Sequence, residues 1–303
     1  MHRPPAILFQ VVVIGASVID LVAYCPHMPA VGETVLGTDF QSGFGGKGAN
    51  QCIAAARCGA STAMISKVGD DLFGHDTIKN FQDNGVDCDH VSIVGDRPTG
   101  CAPIMVDANG DNAICVVMAA NNELSAADAE NDAARALLGG AKVVVGQLEV
   151  PAAATLAALR VAKQEAGERC LTVLNTAPAP GDVAAMDPPF SEYLAAADVV
   201  CPNEPEAEAL TGLPVGDGDI GDARAAAQAL FAQSASDTSP AHVVLTLGKR
   251  GALWVERGGD PDGTFVAGTA ARHDSAEDFS RLKVQRYTAH GLILIPAYCF
   301  ALP

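Results

Sequence analysis

The sequence predicts an α/β fold: a mainly parallel sheet flanked by helices, with a small β-sheet lid. Three observations lead there. Short β-branched or apolar segments alternate with Ala-rich segments of helical length, a rhythm that builds a parallel sheet covered on both faces. Two stretches break that rhythm with extra strand-like segments. The chain's 303 residues are 49% hydrophobic and 5% aromatic, enough to bury one large core.

Taken in order, the first strand is expected at 11–14, an unbroken Val-Val-Val-Ile run. Residues 21–24 and 34–42 follow as lid strands outside the βα rhythm. A helix is expected over 49–58, ended by Gly59; then come a strand at 63–68 and a helix over 72–84, ended by Gly85. Residues 101–107 and 112–118 are the second pair of lid strands and flank Ala108-Asn109-Gly110, a hairpin turn signal. Ser125 with Asp128 marks the start of a helix over 126–138. The rhythm continues with strand 143–148, helix 152–165, strands 171–175 and 198–201, helix 204–210 ended by Gly212, helix 222–232 and strand 243–247. The lid has no helix of its own, so an apolar face is left as a substrate cover or a dimer contact. The alternative is that its segments are edge strands of the main sheet.

Charge and cysteine usage exclude several classes. A formal net charge of −17 and a pI near 4.6 argue against nucleic acid or an anionic membrane as partner, since both require a basic surface. Nine cysteines with no CxxC pair indicate neither a disulfide framework nor a zinc site, and read as reduced thiols in a cytoplasmic protein, nuclear entry remaining open. The apolar start, residues 1–16, is interrupted by Gln10 and leads straight into the first strand, so it reads as folded chain rather than a signal peptide. No apolar run reaches the ~18 residues that a membrane span requires.

The most informative segment is Gly43-Phe44-Gly45-Gly46-Lys47-Gly48-Ala49-Asn50-Gln51. Its first six residues match G-x-G-x-x-G, yet they follow a lid strand instead of the first strand, so the dinucleotide-binding context fails. A phosphate-binding P-loop fails too, because Lys47 is followed by Gly48 and not by Ser or Thr. What remains is a glycine turn opening a helix, bringing backbone N–H groups, an ammonium and the Asn50 amide together. Such a set suits a polyhydroxylated ligand approaching the backbone closely.

These residues resemble the sugar-binding signature of ribokinases, within the wider family of carbohydrate and purine kinases. The similarity runs from about Val11 to about Gly251. Val13-Ile14-Gly15 through Asp20 resembles the first strand with its sugar-binding carboxylate, and Gly32-Glu33-Thr34 the start of the lid. Val68-Gly69-Asp70-Asp71 with Phe73-Gly74 resembles the turn after the second strand, and Gln147-Leu148-Glu149 a strand end that supplies another carboxylate. Asn175-Thr176-Ala177-Pro178-Ala179 matches the usual Asn-Pro-Ala-Pro-Ala with Thr in place of the first Pro. The resemblance implies a Rossmann-like, ribokinase-like fold, phosphorylation of D-ribose by ATP, and a sugar site of Val18, Ile19, Asp20, Gly46, Lys47, Gly48, Ala49, Asn50 and Glu149. Val18 is a departure, since bacterial members often place an Asn there that touches the sugar. Another pentose or a nucleoside is the alternative substrate.

Pro202-Asn203-Glu204-Pro205-Glu206-Ala207-Glu208 opens a helix after a strand. By itself an acidic first turn suits the helix dipole, and carboxylates beside a polyphosphate are able to hold Mg²⁺ through its waters. Similarity to the family's Asn-x-x-Glu motif implies Asn203 near the nucleotide phosphates and Glu206, with Glu204, in the Mg²⁺ shell. Thr246-Leu247-Gly248-Lys249-Arg250-Gly251 matches the family's nucleotide loop and implies ATP contact there. K⁺ is expected for the family, as is a homodimer through the lid.

Past Gly251 the resemblance stops. The family's Asp-Thr-x-Gly-Ala-Gly-Asp is an anion-binding helix start whose last Asp is the catalytic base. Here stands Arg272-His273-Asp274-Ser275-Ala276-Glu277-Asp278-Phe279, without the glycines. Phosphoryl transfer depends on such positioning, and Glu277 would repel phosphate; Asp278 is the candidate base. The expected organisation is an α/β domain over 1–251, with the lid from about 20–45 and 99–119, and a divergent segment over 252–303. The abrupt departure suggests an alternative exon, a retained intron or a shifted frame, and with it a sugar-binding, dimerising module that lacks catalysis.

Overall fold

The computed structural model describes residues 9–181, 183–216 and 220–259 and the strand at 264–267. The strands are β1 (Val11–Ile14), β2 (Val18–Tyr24), β3 (Asp39–Gly45), β4 (Thr62–Gly69), β5 (Val86–Val94), β6 (Gly100–Val106), β7 (Asn112–Ile114), β8 (Val143–Gly146), β9 (Leu171–Asn175), β10 (Val199–Cys201), β11 (His242–Thr246), β12 (Gly251–Glu256) and β13 (Thr264–Ala267). The α-helices are α1 (Lys47–Arg57), α2 (Leu72–Asp83), α3 (Ala126–Glu130), α4 (Asp132–Gly140), α5 (Ala152–Ala166), α6 (Phe190–Ala196), α7 (Glu204–Thr211) and α8 (Ile220–Gln233).

The main sheet runs in the order β13-β12-β11-β10-β9-β8-β1-β4-β5. Pairing is parallel from β11 across to β5, and antiparallel only where β12 and β13 extend that edge. Strand β1 shows why helices must cover both faces. Val12 and Ile14 join a core with Leu156 and Leu159 of α5, while Val11 and Val13 join another with Cys52 and Ile53 of α1. With a side-chain period of two, a strand of four buried residues feeds two cores and has no solvent face.

A separate four-stranded sheet, in the order β3-β2-β6-β7, forms the lid, so its segments are not edge strands of the main sheet. Register assigns its two faces: Phe40, Ala23 and Met105 lie in one row, and Phe44, Ile19 and Cys101 in another of the same face. Val18, Asp20 and Ala102 alternate onto the opposite face, where Val18 and Ala102 enter the main core. On the first face Phe40 is 61% and Val117 47% exposed.

The structure differs from the sequence expectation at several places, among them β12 and β13, which extend the sheet past the expected strands, and β7, which ends at Ile114. The helix over 126–138 is two helices, because the Asn131 side chain accepts the Ala134 N–H and starts α4 afresh. Strand β5 is half polar, as an edge strand tolerates, and α6 is too short to show a helical period. The lid strand expected at 34–42 starts later, since Asp39 is the first residue to pair, opposite Tyr24; its partner begins earlier, at Val18. The capping box of Ser125 and Asp128 and the positive φ of Gly59, Gly85 and Gly212 are as expected.

Candidate functional site

Topology alone locates a crevice. The chain fills β4 and β5 on one side of β1, then crosses to β8 and continues outward on the other side. In open parallel sheets ligands bind outside the carboxyl ends of the strands where the order reverses in this way. Those ends carry Gly15 after β1 and Gln147, Leu148 and Glu149 after β8.

The glycine turn delivers α1 into this crevice. Gly46, at φ 90°, precedes the helix in a conformation that L side chains rarely adopt. Ala49 N–H donates to Ala16 O at 3.0 Å, tying the first turn to the end of β1. Lys47 then meets Glu149 twice: its backbone N–H donates to Oε2 at 2.7 Å and its ammonium to Oε1 at 3.0 Å. Asp20 arrives from the lid beside Gly45, where a Cβ would lie 2.4 Å from its carboxylate. Burial raises the Asp20 pKa above the usual carboxylate range; the charge of Glu149 adds to this and Lys47 opposes it. Asp20, Lys47 and Glu149 therefore sense one another, and Asn50 stands on the same first turn as Lys47. Gly48 and Ala49 are buried in that turn; Val18 and Ile19 are buried as well.

A second cluster lies at the ends of β9, β10 and β11. Asn203 caps α7, its side chain accepting the Glu206 N–H at 2.8 Å while its own N–H donates to Glu206 Oε2 at 3.0 Å. The Thr176 hydroxyl donates to the same Glu206 oxygen at 2.9 Å. Burial pushes the Glu206 pKa up, and the Asn203 N–H, the Thr176 hydroxyl and the charge of Lys47 pull it back. The charge of Lys47 is thus felt in both clusters. Thr246 pairs with Asn203, and its N–H donates to Pro202 O at 2.9 Å. Leu247 is buried; Gly248, Lys249 and Arg250 form one turn that ends at Gly251, and Arg250 forms an ion pair with Glu204. Asp278 lies outside the described residues.

Three contributors stand inside the quoted motifs but are given no role there. Thr176 looks like a mere departure from the family pattern, yet a Pro in its place has no hydroxyl for Glu206. Gln51 and Gln147 are buried and joined through Gln147 Nε2 and Gln51 Oε1 at 2.5 Å. Being adjacent to Asn50 and two residues before Glu149, they fasten α1 to the end of β8. That these two amides meet each other is legible only once the fold places them together.

Fold and site together define an α/β domain with a small β lid, in which Glu149 at a strand end pairs with Lys47 and the lid's Asp20 feels both charges. A model of the pfkB family carbohydrate kinases matches residues 8–270, and the chain belongs to that family. It is 42% identical to the ribokinase of Mus musculus over 207 residues, covering 68% of this chain and 61% of the mouse protein. It is 37% identical to the deoxyribokinase of Salmonella typhi over 248 residues, covering 82% of this chain and 75% of that protein. The solved ribokinase of Arabidopsis thaliana, complexed with ribose and ATP, superposes with a TM-score of 0.73 at 25% identity, covering 88% of this chain and 80% of that one. The fold is accordingly ribokinase-like. The chain spans about three-fifths of the length of the mouse and Dictyostelium discoideum ribokinases it matches.

Proposed function

We propose that the chain binds D-ribose between Asp20 of the lid and the α1 turn with Glu149, and transfers the ATP γ-phosphoryl group to the sugar 5-hydroxyl. The observation that carries this reading is the double contact of Lys47 with Glu149, with Asp20 close enough to feel both charges. Ionised carboxylates accept hydrogen bonds from sugar hydroxyls, Asn50 adds an amide, and the glycine turn leaves room for the ring. Support comes also from the ribokinase relatives and from the ribose and ATP complex of the Arabidopsis protein.

Nucleotide is assigned to Asn203 and the turn from Thr246 to Gly251, opposite the sugar across Lys47. Glu206 Oε2 is already engaged by Asn203 and Thr176, and Glu204 by Arg250. Among the described residues no group of three or more His, Cys, Asp or Glu side chains forms a metal cage. On the family resemblance Mg²⁺ is assigned here, held through its waters and the nucleotide phosphates, with Glu206 and Glu204 in its shell. When bound, Mg²⁺ supplies charge to offset the phosphates. The protein's own residues hold the sugar, orient its hydroxyl and keep Lys47 between the two ligands. K⁺, a homodimer through the lid and a cytoplasmic location belong to this reading on the family resemblance and composition.

A second reading, sugar binding without turnover, is favoured by the missing glycines between Asp274 and Asp278. Calorimetry with D-ribose and a coupled ADP-release assay, run in parallel on the full chain, separate the two. Binding with ADP release is expected; binding with no release selects the second reading, and no binding removes both. The same assay with 2-deoxyribose tests the substrate of the Salmonella relative.

A further inference from the structure

The chain crosses between main body and lid four times: at Ser17 into β2, at Gly45 and Gly46 out of β3, at Thr99 into β6, and from Met118 to Asn121 back to the body. All four crossings converge on one backbone segment, Ala16-Ser17. A Cβ on Gly46 would lie 2.6 Å from Ala16 O and 3.0 Å from Ser17 Cα, and one on Gly100 would lie 3.3 Å from Ser17 O. Met118 is joined to Ser17 by a single side chain, that of Asn121. Its Oδ1 accepts the Ser17 N–H at 2.8 Å, and its Nδ2 donates to Ser17 O and to Met118 O, each at 2.9 Å.

Asn121 is fully buried, and all the capacity of its amide that these bonds require is matched to backbone. Towards Ser17 it acts as a one-residue strand, exchanging both main-chain bonds. Ser17 is held from its other side by the Ser17–Ser66 hydroxyl pair at 2.9 Å, with Ser66 donating to Gly15 O at 2.9 Å. Two residues before Asn121, Ala119 has φ 44°, the one positive φ outside glycine among the described residues. A left-handed alanine is disfavoured by its Cβ, and it persists where the surroundings over-determine it. Here the Ala120 N–H on Pro98 O and the Asn121 N–H on Met118 O do so, at 3.0 and 2.9 Å.

We infer that Asn121 is a positioning residue for sugar binding: it fixes the angle of β2 to the main sheet, and so the distance at which Asp20 faces Lys47 and Glu149. Asp20 stands three residues past the segment that Asn121 grips, while Glu149 belongs to the body, so rotation at Ser17 moves one carboxylate against the other. The inference rests on the sugar site proposed above, and Asp20→Asn tests that site separately.

The experiment measures D-ribose affinity by calorimetry, well below the unfolding midpoint, for the full chain and for Asn121→Ala, Gly100→Ala, Asp20→Asn and Leu230→Ala. Gly100→Ala would place a methyl 2.5 Å from Asn121 Nδ2 and disturb the same junction from the lid side. Leu230, buried in α8, reports loss of stability alone. Misplacing a binding group by about 1 Å costs up to about 100-fold. Asn121→Ala and Gly100→Ala are therefore expected to weaken ribose about 10- to 100-fold, with Leu230→Ala unchanged in affinity and lower in melting temperature. If Asn121→Ala does not fold, Asn121→Ser takes its place. Unchanged affinity in the folded Asn121 variant, with Asp20→Asn abolishing binding, overturns this inference alone. Unchanged affinity in Asp20→Asn overturns the sugar site on which it depends.

Discussion

Asp20 shows how binding and stability pull against each other in one side chain. Its folded pKa is raised by burial and by Glu149, so the folded protein holds this proton more tightly than the unfolded chain does. The stabilising contribution is present below the ordinary carboxylate pKa and is lost as pH rises through the raised folded value. Above that value an ionised Asp20 destabilises the free protein, yet this is the form that accepts sugar hydroxyls. Asp20→Asn should therefore raise the melting temperature at neutral pH while removing ribose binding. In the parent protein, ribose affinity should begin to fall, on acidification, at a pH above the ordinary carboxylate range. A melting temperature lowered by the substitution would contradict the electrostatic account. Tyr193 is the opposite case: fully buried, its hydroxyl lacks a hydrogen-bond partner among the described residues, and burial pushes its pKa well above the ordinary tyrosine value, against the pull of Arg160. A buried hydroxyl without a partner costs about 1–3 kcal/mol. Tyr193→Phe should raise the midpoint of urea denaturation, and a lower midpoint would show that the oxygen is satisfied. Neither result was legible in sequence, where Asp20 is one acid among many and Tyr193 one aromatic in an apolar run. What marked Asp20 was its place in a motif; of the neighbours that shift its proton, Lys47 stands on the next helix and Glu149 follows a strand on the far side of β1.

At the level of elements, legibility followed the strength of the local pattern. Strands β1 and β8 are continuous apolar runs because both their faces are covered, and β5, at the edge, lacks that run. The capped start of α3 was legible for the same reason, since Ser125 and Asp128 stand three residues apart, whereas the Asn131 cap of α4 lay hidden inside an otherwise continuous helical pattern. Helix α7 is the functional instance. Asn203 both closes its first turn and presents Glu206, whose oxygen is fixed by the Asn203 N–H and by Thr176. Asn203→Ala removes the acceptor for the Glu206 N–H and should cost about 1 kcal/mol of stability. Nucleotide affinity should fall further than stability does, because the freed first turn no longer aims its N–H groups. Calorimetry with ADP at a temperature where the variant is fully folded tests this, and unchanged ADP affinity would reduce Asn203 to a cap. Thr176→Val, which keeps shape and loses the hydroxyl, isolates the hydrogen bond to Glu206 from the cap.

For the whole molecule, the two sheets divide the labour. The main sheet supplies strand ends and rigid helix starts, and the lid supplies Asp20 on the face turned inward. Its other face is apolar and no helix among the described residues covers it, with Phe40, Phe44, Met105 and Val117 all exposed there. A chain with a net charge of −17 repels its own copies over most of its surface. Association is therefore confined to a surface where apolar contact outweighs that repulsion, and the outward lid face has this composition. A closed dimer built on it sets the same patch against itself, so one substituted residue counts twice in the contact. Phe40→Glu would place two carboxylates in one apolar interface and should convert a dimer, measured by sedimentation equilibrium, to a monomer. Ribose affinity per chain should hold within about twofold, because Phe40 lies at the far end of β3 from the glycine turn, and non-interacting sites behave additively. A parent protein that sediments as a monomer at all concentrations, or a variant that stays dimeric, would assign the outward face to another role. A variant that becomes monomeric and also loses ribose would mean that the second copy braces the lid from outside, at the strands that Asn121 holds from within.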